Sequence, residues 1–451
     1  MDAKDMKVTD APLRPVAQLV AALEAGALDE TLEALGGAGG AQAQRARCLT
    51  LLHTFADTYG ADRPAAIFTV AGRSELSGNH TDHNHGCVIA CSISLDMLGV
   101  ASPRADGVIR LTSDGFGEDV VDLHTYTAPD ASRFGTSASL IAGVCAGFVR
   151  EGHTVGGFDA CVTSDVLKGS GLSSSAAFED MVGTILSHLY NRGEVDEVSV
   201  AKIAQYAENV FFGKPCGLMD QVACAVGGIV AIDFADPADP VIQPIPFDMT
   251  AAGYRLCIVN TGGNHADLTE DYAAVPREMK AVAAAFGKEV LRDVPRADVL
   301  AALPTLRERV GDRALLRALH FYDENDRVAD QKTALLEACA AGDGETRQAA
   351  LARFFDKVKA SGRSSFCYLQ NVYTTSLVSE QGLSLCLCLC ESVMGGELAA
   401  YRVHGGGFAG TVQAWVPQGA VEAFRTLMDG VFGRGATVDL RVRPVGTARI
   451  L

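Results

Sequence analysis

The sequence is poor in positive charge. Its 451 residues contain 38 Lys and Arg against 55 Asp and Glu, which gives a formal net charge of −17. A surface of this sign repels the phosphate backbone of nucleic acids and the anionic headgroups of membranes. We therefore expect no nucleic-acid partner and no membrane partner. A small anionic ligand would need local Arg or Lys, backbone N–H groups or a metal ion.

Long apolar runs are missing as well. No segment approaches the roughly 20 consecutive apolar residues that a membrane-spanning helix needs. Residues 1–6, MDAKDM, carry no apolar secretory signal. With 48% hydrophobic and 21% charged residues, the composition is that of a globular chain rather than a disordered one. We expect a soluble, cytoplasmic protein.

The thirteen cysteines lack the spacing of a zinc site. No Cys-x-x-Cys pair recurs, and the densest group, CLCLC at residues 386–390, lies in an apolar run. Scattered cysteines, odd in number, in a chain without a secretory signal are typical of free thiols that are mostly buried. We predict that all thirteen are free.

Periodicity divides the chain into three parts. Helix-like spacing of leucines runs through residues 1–62 and is interrupted by the glycines of residues 36–40. Beyond it, strands and helices mix without strict alternation, which favours two α+β domains over one doubly wound sheet. We predict a helical N-terminal extension over 1–62, an N-terminal domain over 63–246 and a helix-rich C-terminal domain over 251–451. The DPADP segment near residues 236–240 is the best linker candidate.

The first chemically dense segment is GRSELSGNHTDHNHG, residues 72–86, between two apolar strands. So many polar groups between glycines indicate a functional loop. Its histidines and Asp82 are the residue types of a hydrolase metal site, although no distant carboxylate motif accompanies them. The alternative is a sugar-binding loop, in which Asp and Asn bond hydroxyl groups and Arg73 stabilises negative charge. A merely solvated loop is the third interpretation.

The second segment, LKGSGLSSSAA at residues 167–177, combines a strand end, a Gly/Ser loop and a helix start. Small residues allow close approach of the backbone, and the first N–H groups of a helix attract an anion. Serine hydroxyls add donors and can ligate Mg²⁺. The segment is a candidate phosphate site, although it matches neither the P-loop nor the dinucleotide fingerprint. A plain helix cap is the alternative.

Two further segments are weaker when taken alone. HGGGFAG at residues 404–410 runs into an apolar strand, which implies close approach of a ligand or of another loop. PCGLMDQ at residues 215–221 contains Asp220, which would ordinarily be a helix cap. The order of the four segments along the chain is more specific than any one of them.

In this combination the sequence resembles the galactokinases of the GHMP small-molecule kinase family. The first segment resembles the family's GRVNLIGEHTDYN loop, the second its GLSSSA phosphate loop, and residues 213–221 its GxPCGIMDQ motif. The glycines of residues 404–410 and the HxxxENxR pattern within residues 317–328 fit as well. The resemblance runs from about residue 66 to the end, whereas residues 1–62 exceed what the family usually carries.

The resemblance implies two α+β domains, an active site in the cleft between them, and ATP-dependent phosphorylation of a sugar's anomeric hydroxyl. Asp220 would be the catalytic carboxylate, and Arg73 would keep it ionised and stabilise the transferred phosphoryl group. Ser175 and Glu208 would ligate Mg²⁺. The nucleotide would be bound by the Gly/Ser loop and by the later glycine segment: Lys168, Gly169, Ser170, Gly171, Leu172, Ser173, Ser174, Ser175, Gly406 and Gly407.

Sugar contacts are implied for Asn79, His80, Asp82 and Tyr272, with Asn79 at the sixth-carbon position. Two residues depart from the family pattern, since Glu75 stands where the family has Asn and Asn79 where it has Glu. Because Asn both donates and accepts, we expect galactose as the substrate with a relaxed requirement at the sixth carbon. The alternative is that Glu75 swings into the vacated place and restores the family's specificity.

Three functions stay open at this point. The chain is a galactokinase or a kinase of a close sugar such as galacturonate, a non-catalytic sensor of galactose and ATP on the same fold, or a zinc hydrolase that uses the His-rich loop. A sensor is expected to lose residues of the phosphate loop, yet the SSSAA of residues 173–177 and Asp220 are intact. The kinase interpretation is therefore favoured. The sequence does not indicate the oligomeric state.

Overall fold

The computed structural model of the chain describes residues 11–37, 39–126, 128–166, 172–263, 268–396 and 398–451. In this part of the chain, a nine-stranded sheet and a four-stranded sheet are surrounded by helices. The α+β class predicted from the sequence is confirmed.

The strands are numbered in chain order. They are β1 (Arg14–Pro15), β2 (Pro64–Ser77), β3 (Cys87–Arg104), β4 (Val108–Ser113), β5 (Glu118–Asp122), β6 (Gly157–Ser164), β7 (Ile229–Asp233), β8 (Val241–Ile245), β9 (Tyr254–Asn260), β10 (Ala400–Val403), β11 (Thr411–Pro417), β12 (Thr437–Leu440) and β13 (Thr447–Arg449).

The α-helices are numbered in the same way. They are α1 (Val16–Glu24), α2 (Asp29–Gly36), α3 (Ala41–Tyr59), α4 (Ser137–Arg150), α5 (Ser174–Tyr190), α6 (Glu197–Tyr206), α7 (Met219–Val226), α8 (Thr269–Ala284), α9 (Arg296–Ala301), α10 (Leu303–Val310), α11 (Asp312–Ala340), α12 (Gly344–Ser364), α13 (Gly382–Met394) and α14 (Val421–Phe432). Short 3₁₀ turns occur at Asp82–Asn84, Ala131–Arg133, Leu291–Asp293, Thr375–Leu377 and Gln418–Ala420, and π-helical turns at Ala207–Phe212 and Ser365–Leu369.

The long antiparallel pair of β2 and β3 is the centre of the first sheet, whose main path is β1-β2-β3-β6-β4-β5. Both faces of β2 are covered. Phe68 packs into a core with Met181 of α5, whereas the adjacent Ile67 packs with Phe55 of α3. Successive side chains of a strand point to opposite faces. Residues 65–71 of β2 are buried and, apart from Thr69, apolar, which is expected of a strand covered on both faces.

The four-stranded sheet has the order β10-β11-β9-β12 and is likewise covered on both faces. Leu256 of β9 packs with Phe354 of α12 on one side. The next residue, Cys257, packs with Cys386 of α13 and Met428 of α14 on the other. This alternation again follows the two-residue period of a strand. The helix-rich second half that the sequence predicted therefore surrounds a small sheet of its own.

The helices predicted within residues 1–62 are present in the described part, and they form a buried layer. Leu19, Leu52 and Phe55 share a core with Ile67 of β2 and Val100 of β3. The short strand β1 also pairs with the start of β2. The N-terminal segment is therefore integral to the first sheet, and we call α1, α2 and α3 the N-terminal layer.

Two details depart from the predicted division of the chain. The DPADP segment is not a linker, since residues 234–240 connect β7 to β8 in an antiparallel hairpin. Asp and Pro favour a tight turn as much as a linker, so composition did not distinguish the two. At the other end of the chain, β13 pairs antiparallel with β2 and so returns to the first sheet. The division into 63–246 and 251–451 stays a prediction.

All thirteen cysteines carry free thiols, as predicted. Cys386 and Cys390 are buried on the inner face of α13, which explains the apolar setting of this group. Across the described ranges, no helix is both long enough and apolar enough to cross a membrane.

Candidate active site

A cavity of about 230 Å³ brings three of the sequence segments together. Its walls come from the end of β2 and the loop after it, from the turn before α7 and the first residues of that helix, and from the glycine segment after β10. The lining residues are Arg73, Glu75, Asn79, His80, Asp82, His83, Pro215, Cys216, Gly217, Met219, Asp220, Gly405 and Gly406. We call this space the small cavity.

Arg73 and Asp220 form a two-pronged ion pair in the small cavity. Arg73 Nε donates to Asp220 Oδ1 at 2.7 Å, and Arg73 Nη2 donates to Asp220 Oδ2 at 2.8 Å. The guanidinium lies near the end of β2 and the carboxylate in the first turn of α7. The carboxylate side chain is 34% exposed whereas the guanidinium side chain is 9% exposed. The pair therefore presents its negative end to the cavity.

Electrostatics keep this carboxylate ionised. Burial by itself would raise the pKa of Asp220, but the charge and hydrogen bonds of Arg73 hold that pKa below its ordinary value, with help from the Ser173 hydroxyl. An opposite charge at hydrogen-bonding distance favours the charged form. Asp220 is thus an anion throughout the neutral range, suited to accept a hydrogen bond from a hydroxyl group.

Ser173 ties the Gly/Ser loop to this ion pair. Its hydroxyl donates to Asp220 Oδ2, and its backbone has φ of 58°, in the left-handed region that non-glycine residues seldom adopt. The preceding Leu172 is buried, and its carbonyl accepts from the backbone N–H of Arg73 at 3.2 Å. Strained backbone of this kind is found at ligand sites. The predicted contacts of Lys168, Gly169, Ser170 and Gly171 lie outside the described residues.

Ser174 and Ser175 begin α5 and line a second, larger cavity of about 930 Å³. Most of its wall is apolar, from residues of β3, β6, α4 and α5 and the ends of neighbouring loops. Its large apolar members are Leu95, Met97, Phe116, Leu140, Val162, Val166, Phe178 and Phe212. The helix N-terminus at one end supplies free N–H groups that attract an anion. We call this space the large cavity.

Glu75 is buried in an ion pair at the wall of the small cavity. Arg402 Nη2 donates to Glu75 Oε1 at 2.6 Å, and the Arg402 side chain is fully buried. Burial raises the pKa of Glu75 above its ordinary value, although Arg402 opposes that shift. Glu75, one of the two residues that depart from the family pattern, is therefore held in place by the buried Arg402 of β10.

Asn79 is fully buried and uses its whole hydrogen-bonding capacity within the protein. Its Nδ2 donates to the Gly405 carbonyl at 2.7 Å and to Glu75 Oε1 at 3.3 Å. Its Oδ1 accepts from Asn371 Nδ2 at 2.8 Å and from Ser365 Oγ at 3.3 Å. An amide side chain offers two donors and two acceptor positions. Asn79 therefore joins the loop to the glycine segment and to the π-helical turn.

His80 and Asp82 both line the small cavity. His80 Nε2 donates to the Gly406 carbonyl at 2.9 Å, and burial lowers the pKa of His80 to about 4, so the ring is neutral. The carboxylate of Asp82 lies against Gly217, where a Cβ would stand 2.7 Å from Asp82 Oδ2. A side chain at Gly217 would thus displace Asp82 from the cavity wall.

The His-rich loop does not form a zinc site in this structure. His80 is bound to a carbonyl group, and His83 Nε2 lies 3.9 Å from Asp82 Oδ1. Within the described ranges, no group of three or more His, Cys, Asp or Glu side chains is arranged to hold a metal ion. The geometry of the loop instead supports the sugar-binding interpretation.

Tyr272 packs behind the glycine segment. Its hydroxyl donates to the Gly407 carbonyl at 2.8 Å, and burial raises the pKa of Tyr272 to about 12. A Cβ on Gly406 would stand 2.5 Å from the Tyr272 ring. Gly406 itself lines the small cavity beside Asp220. That placement favours a contact of Gly406 with the sugar over the predicted contact with the nucleotide.

Glu208 lies in the π-helical turn that follows α6, and both of its oxygens are bonded. Lys214 Nζ donates to Oε1 at 2.7 Å, and Gln221 Nε2 donates to Oε2 at 3.0 Å. Gln221 Nε2 also lies 3.1 Å from Glu179 Oε2. The other oxygen of Glu179 is buried and has no partner within the described residues. Burial and the charge of Glu208 raise the pKa of Glu179 well above its ordinary value.

Helix α11, which carries the HxxxENxR pattern, bonds the loop that follows β2 on the side away from the small cavity. His320 Nε2 donates to the Asn79 carbonyl at 2.9 Å. Glu324 Oε1 accepts from the Gly78 N–H at 3.1 Å, and Asn325 Oδ1 accepts from the Cys87 N–H at 2.7 Å. The segment singled out in the sequence therefore positions the loop and stays outside the cavity wall.

Known families match this chain in two places. The model for the GHMP kinases N terminal domain matches residues 139–228, and the galactokinase galactose-binding signature matches residues 53–103. A galactokinase of Streptomyces coelicolor is 33% identical over 396 residues, which cover 87% of this chain and 95% of that protein. A galactokinase of Streptomyces lividans is 34% identical over 378 residues, 82% of this chain and 87% of that protein. The chain belongs to the galactokinase family.

Solved structures of this family and its neighbours share the fold. A Lactococcus lactis galactokinase complexed with galactose superposes with a TM-score of 0.71 at 23% identity, over 88% of this chain and 98% of that one. A mevalonate kinase superposes with a TM-score of 0.57 at 14% identity, over 83% and 98% of the two chains. The GHMP-kinase architecture expected from the resemblance is confirmed.

Three features of this galactokinase-family site were not found in the sequence. The large cavity is built mainly from apolar residues that form no motif, so no local signal marked it. Lys214 occupies the variable position of the GxPCG pattern, and its bond to Glu208 follows from the fold. His404, seen only as the start of the glycine segment, bonds Ser74 Oγ at 3.0 Å behind Arg73. Burial, with the charges of Arg73 and Arg402, lowers the pKa of His404 to about 3.

Proposed function

We propose that the protein transfers the γ-phosphoryl group of ATP to the anomeric hydroxyl of galactose. The observation that carries the proposal is the Arg73–Asp220 pair, which presents an ionised carboxylate to a sugar-sized polar cavity with Ser173 of the phosphate loop bonded to it. Membership of the galactokinase family and the galactose-binding signature over residues 53–103 support galactose as the acceptor.

In this proposal Asp220 accepts a hydrogen bond from the anomeric hydroxyl and aligns it for attack. A carboxylate whose pKa is held low is a weak proton acceptor in the ground state, so orientation and electrostatics supply most of its effect. Arg73 keeps that carboxylate ionised, and its guanidinium stabilises the charge on the transferred group. Phosphoryl transfer requires little covalent chemistry of the protein, and positioning and charge stabilisation dominate.

The large cavity is the proposed site of the nucleotide. Its apolar wall suits the face of a base, and Ser174 and Ser175 lie at its end with the first N–H groups of α5, which suit phosphate oxygens. The loop residues 168–171 are proposed to continue this phosphate site. Ser173 then lies between the two cavities, at the point where the γ-phosphoryl group would meet the sugar hydroxyl.

Mg²⁺ is the proposed metal, with Glu208 and Ser175 as its protein ligands. The donor set fits, because Mg²⁺ prefers one or two carboxylates together with phosphate oxygens and water. A buried oxygen of Glu179, which has no partner within the described residues, offers a further oxygen in this region. When bound, the ion would neutralise charge on the phosphate oxygens. Glu208 and Ser175 would hold the ion, and the start of α5 would orient the phosphates.

Lys214→Met is expected to lower the Mg²⁺ concentration at half-saturation by about two- to fivefold. The ammonium of Lys214 occupies Oε1 of Glu208 and must leave before a cation binds there. Its side chain is 61% exposed, so the ion pair contributes only a few tenths to about 1 kcal/mol. The Mg²⁺ dependence of ADP release and the electron paramagnetic resonance of bound Mn²⁺ measure the change.

Lys202→Met is the matched control, because Lys202 is paired with the exposed Asp239. That variant should keep the wild-type metal dependence, and Glu208→Gln should raise the half-saturation concentration at least tenfold. A Lys214→Met variant that binds Mn²⁺ more weakly than the wild type would show that the ammonium supports the metal site instead of competing for it.

Glu75 is proposed to bond the hydroxyl group on the sixth carbon of the sugar. The sequence suggested Asn79 for this role, with Glu75 as the alternative, and the filled hydrogen-bonding capacity of Asn79 favours Glu75. Glu75→Gln is expected to lower the ratio of kcat/KM for galactose to that for 6-deoxygalactose by about tenfold or more. A site built to bond a hydroxyl rejects the analogue that lacks it.

The ratio is measured within each variant, so a general loss of stability cancels. Asn79→Glu is the comparison variant and should weaken all sugars alike, because it places a second carboxylate beside Glu75. Galacturonate belongs in the same panel and should remain a poor substrate of the wild type. If Asn79→Glu changed the kcat/KM ratios between sugars and Glu75→Gln left them unchanged, Asn79 would be the residue that contacts the sixth carbon.

The function itself is tested by ADP release with Mg-ATP over a panel of free hexoses and uronates. The expected result is a rate with galactose well above the rates with glucose, mannose and galacturonate, and a 1-phosphate product identified by ³¹P NMR. Binding of galactose and ATP without ADP release would support the sensor interpretation instead. The intact Ser173–Ser175 run and Asp220 favour the enzyme.

A further inference from the structure

One side chain of the N-terminal layer reaches the wall of the large cavity. Arg47 of α3 places its Nε 2.9 Å from Asp165 Oδ2 and its Nη1 2.5 Å from Asp96 Oδ1. Its Nη2 donates to the carbonyl oxygen of Asp96 at 3.2 Å. The same carbonyl accepts from the backbone N–H of Asp165 at 3.0 Å. One guanidinium therefore joins β3 to the segment that follows β6.

Both carboxylates belong to segments that form the large cavity. Asp96 lies within β3, and Asp165 directly follows β6, two residues before the Gly/Ser loop segment begins at residue 167. The cavity wall includes Asp165 and the chain neighbours of both carboxylates, which are Leu95, Met97, Ser164 and Val166. A shift of either segment therefore changes the shape of this cavity.

The two carboxylates differ in how much they depend on Arg47. Asp96 is fully buried and also receives Arg443 Nη1 at 2.9 Å and Thr69 Oγ1 at 2.8 Å. Burial would raise the pKa of Asp96, but Arg443 and Arg47 hold it below its ordinary value. The side chain of Asp165 is 51% exposed, and its ion pair is with Arg47. Loss of Arg47 would leave Asp96 neutralised by Arg443 but would release the side chain of Asp165, and among the described residues Asp165 is then held only through its backbone bond to Asp96.

We propose that Arg47 is a positioning residue for the nucleotide, which acts through Asp165 to fix the segment that leads into the Gly/Ser loop. The inference rests on the proposed use of the large cavity for ATP. It gives the N-terminal layer a role beyond covering the sheet, because α3 then helps to set the geometry of nucleotide binding. Among the described residues, none that lines the small cavity belongs to β3, to β6 or to the Gly/Ser loop, so galactose binding should change little.

The test is ADP binding by isothermal titration calorimetry, with the full chain as wild type, Arg47→Met, Asp165→Ala and the double variant. Arg47→Met is expected to weaken ADP binding by about five- to twentyfold, which lies within the range of coupling between contacting groups. KM for ATP should rise in parallel, while KM for galactose stays within about twofold. The double variant should bind no more weakly than Arg47→Met, because both changes break the same link.

Arg45→Met is the matched control on the same helix, because Arg45 pairs with Asp29 inside the N-terminal layer. It should bind ADP as the wild type does, and Arg47→Lys should restore part of the affinity lost in Arg47→Met. Asp165→Ala changes an exposed side chain and keeps the test valid if Arg47→Met folds poorly, which a thermal melt would reveal.

The outcomes separate this inference from the proposed function. If the wild type binds ADP and both Arg47→Met and Asp165→Ala bind it within twofold, the inference is overturned and the proposed function stands. Equal losses of ADP and galactose affinity in Arg47→Met would also overturn it, since they indicate general damage. If the wild type binds no ADP, the proposed function fails and the inference fails with it.

Discussion

Asp220→Asn is expected to lower kcat by about 10²–10⁴-fold, the usual contribution of a positioned acid–base group. The amide has nearly the shape of the carboxylate and still offers one oxygen to the anomeric hydroxyl. It loses the negative charge that orients and polarises this hydroxyl, and its NH₂ group faces the Arg73 guanidinium as a second donor. Galactose binding should therefore persist within about threefold while turnover falls, as seen by titration calorimetry and by ADP release.

Asp236→Asn is the matched control for this substitution. Asp236 is exposed in the β7–β8 turn, and its Oδ1 accepts from the Ala238 N–H at 3.0 Å, a bond that Asn can keep. The control should retain wild-type kcat. Turnover of Asp220→Asn within about threefold of the wild type would remove Asp220 from the chemistry. A loss of galactose affinity with kcat unchanged would assign it to binding alone.

The core of the site was predictable because its residues lie in compact local patterns. Arg73 and Asp220 are 147 positions apart in the chain, yet each lies in a segment whose residue types and order are specific. The helix start predicted within residues 167–177 is observed at Ser174, because small and hydroxyl residues before an apolar run mark a helix N-terminus. Such signals are local, so one sequence carries them.

Features that depend on long-range packing were not predictable. The large cavity is formed by apolar side chains from distant strands and helices, and apolar residues in strands are typical of any core. The role of Asn79 required knowledge of its partners at residues 365, 371 and 405, which the fold brings together. The N-terminal layer was read as an extension because helix periodicity shows that one face is buried, without showing what covers it.

The hairpin at residues 234–240 illustrates the same limit at shorter range. Its Asp and Pro residues indicate a chain reversal, but the antiparallel pairing of Asp233 with Val241 depends on whether two flanking segments meet. The sequence of β8, VIQPI, contains a proline and does not alternate polar with apolar residues, so its pattern did not indicate a strand. Composition therefore located the turn and left its structural role undetermined.

Arg73→Met is expected to lower kcat/KM by about 10²–10³-fold at neutral pH, the effect of removing one donor that stabilises transition-state charge. A second consequence follows from electrostatics. Asp220 would keep its partly buried position and lose its main counter-charge, so burial would raise its pKa. The acid limb of the kcat/KM profile should then move to higher pH than in the wild type, where Arg73 holds the pKa of Asp220 below its ordinary value.

The pH dependence of stability gives an independent readout of the same change. In the wild type the pKa of Asp220 is depressed in the folded state, so the ion pair contributes stability above the unfolded pKa, and that contribution is lost as pH falls through the folded pKa. In Arg73→Met the folded pKa should be raised, so stability should instead decline as pH rises from the unfolded pKa through the raised folded pKa. Denaturant unfolding at acidic and neutral pH measures the difference.

Arg73→Lys keeps the charge with fewer hydrogen bonds, and the acid limb of its kcat/KM profile should lie between those of the wild type and Arg73→Met. An acid limb that does not move in Arg73→Met would mean that ionisation of Asp220 does not govern turnover.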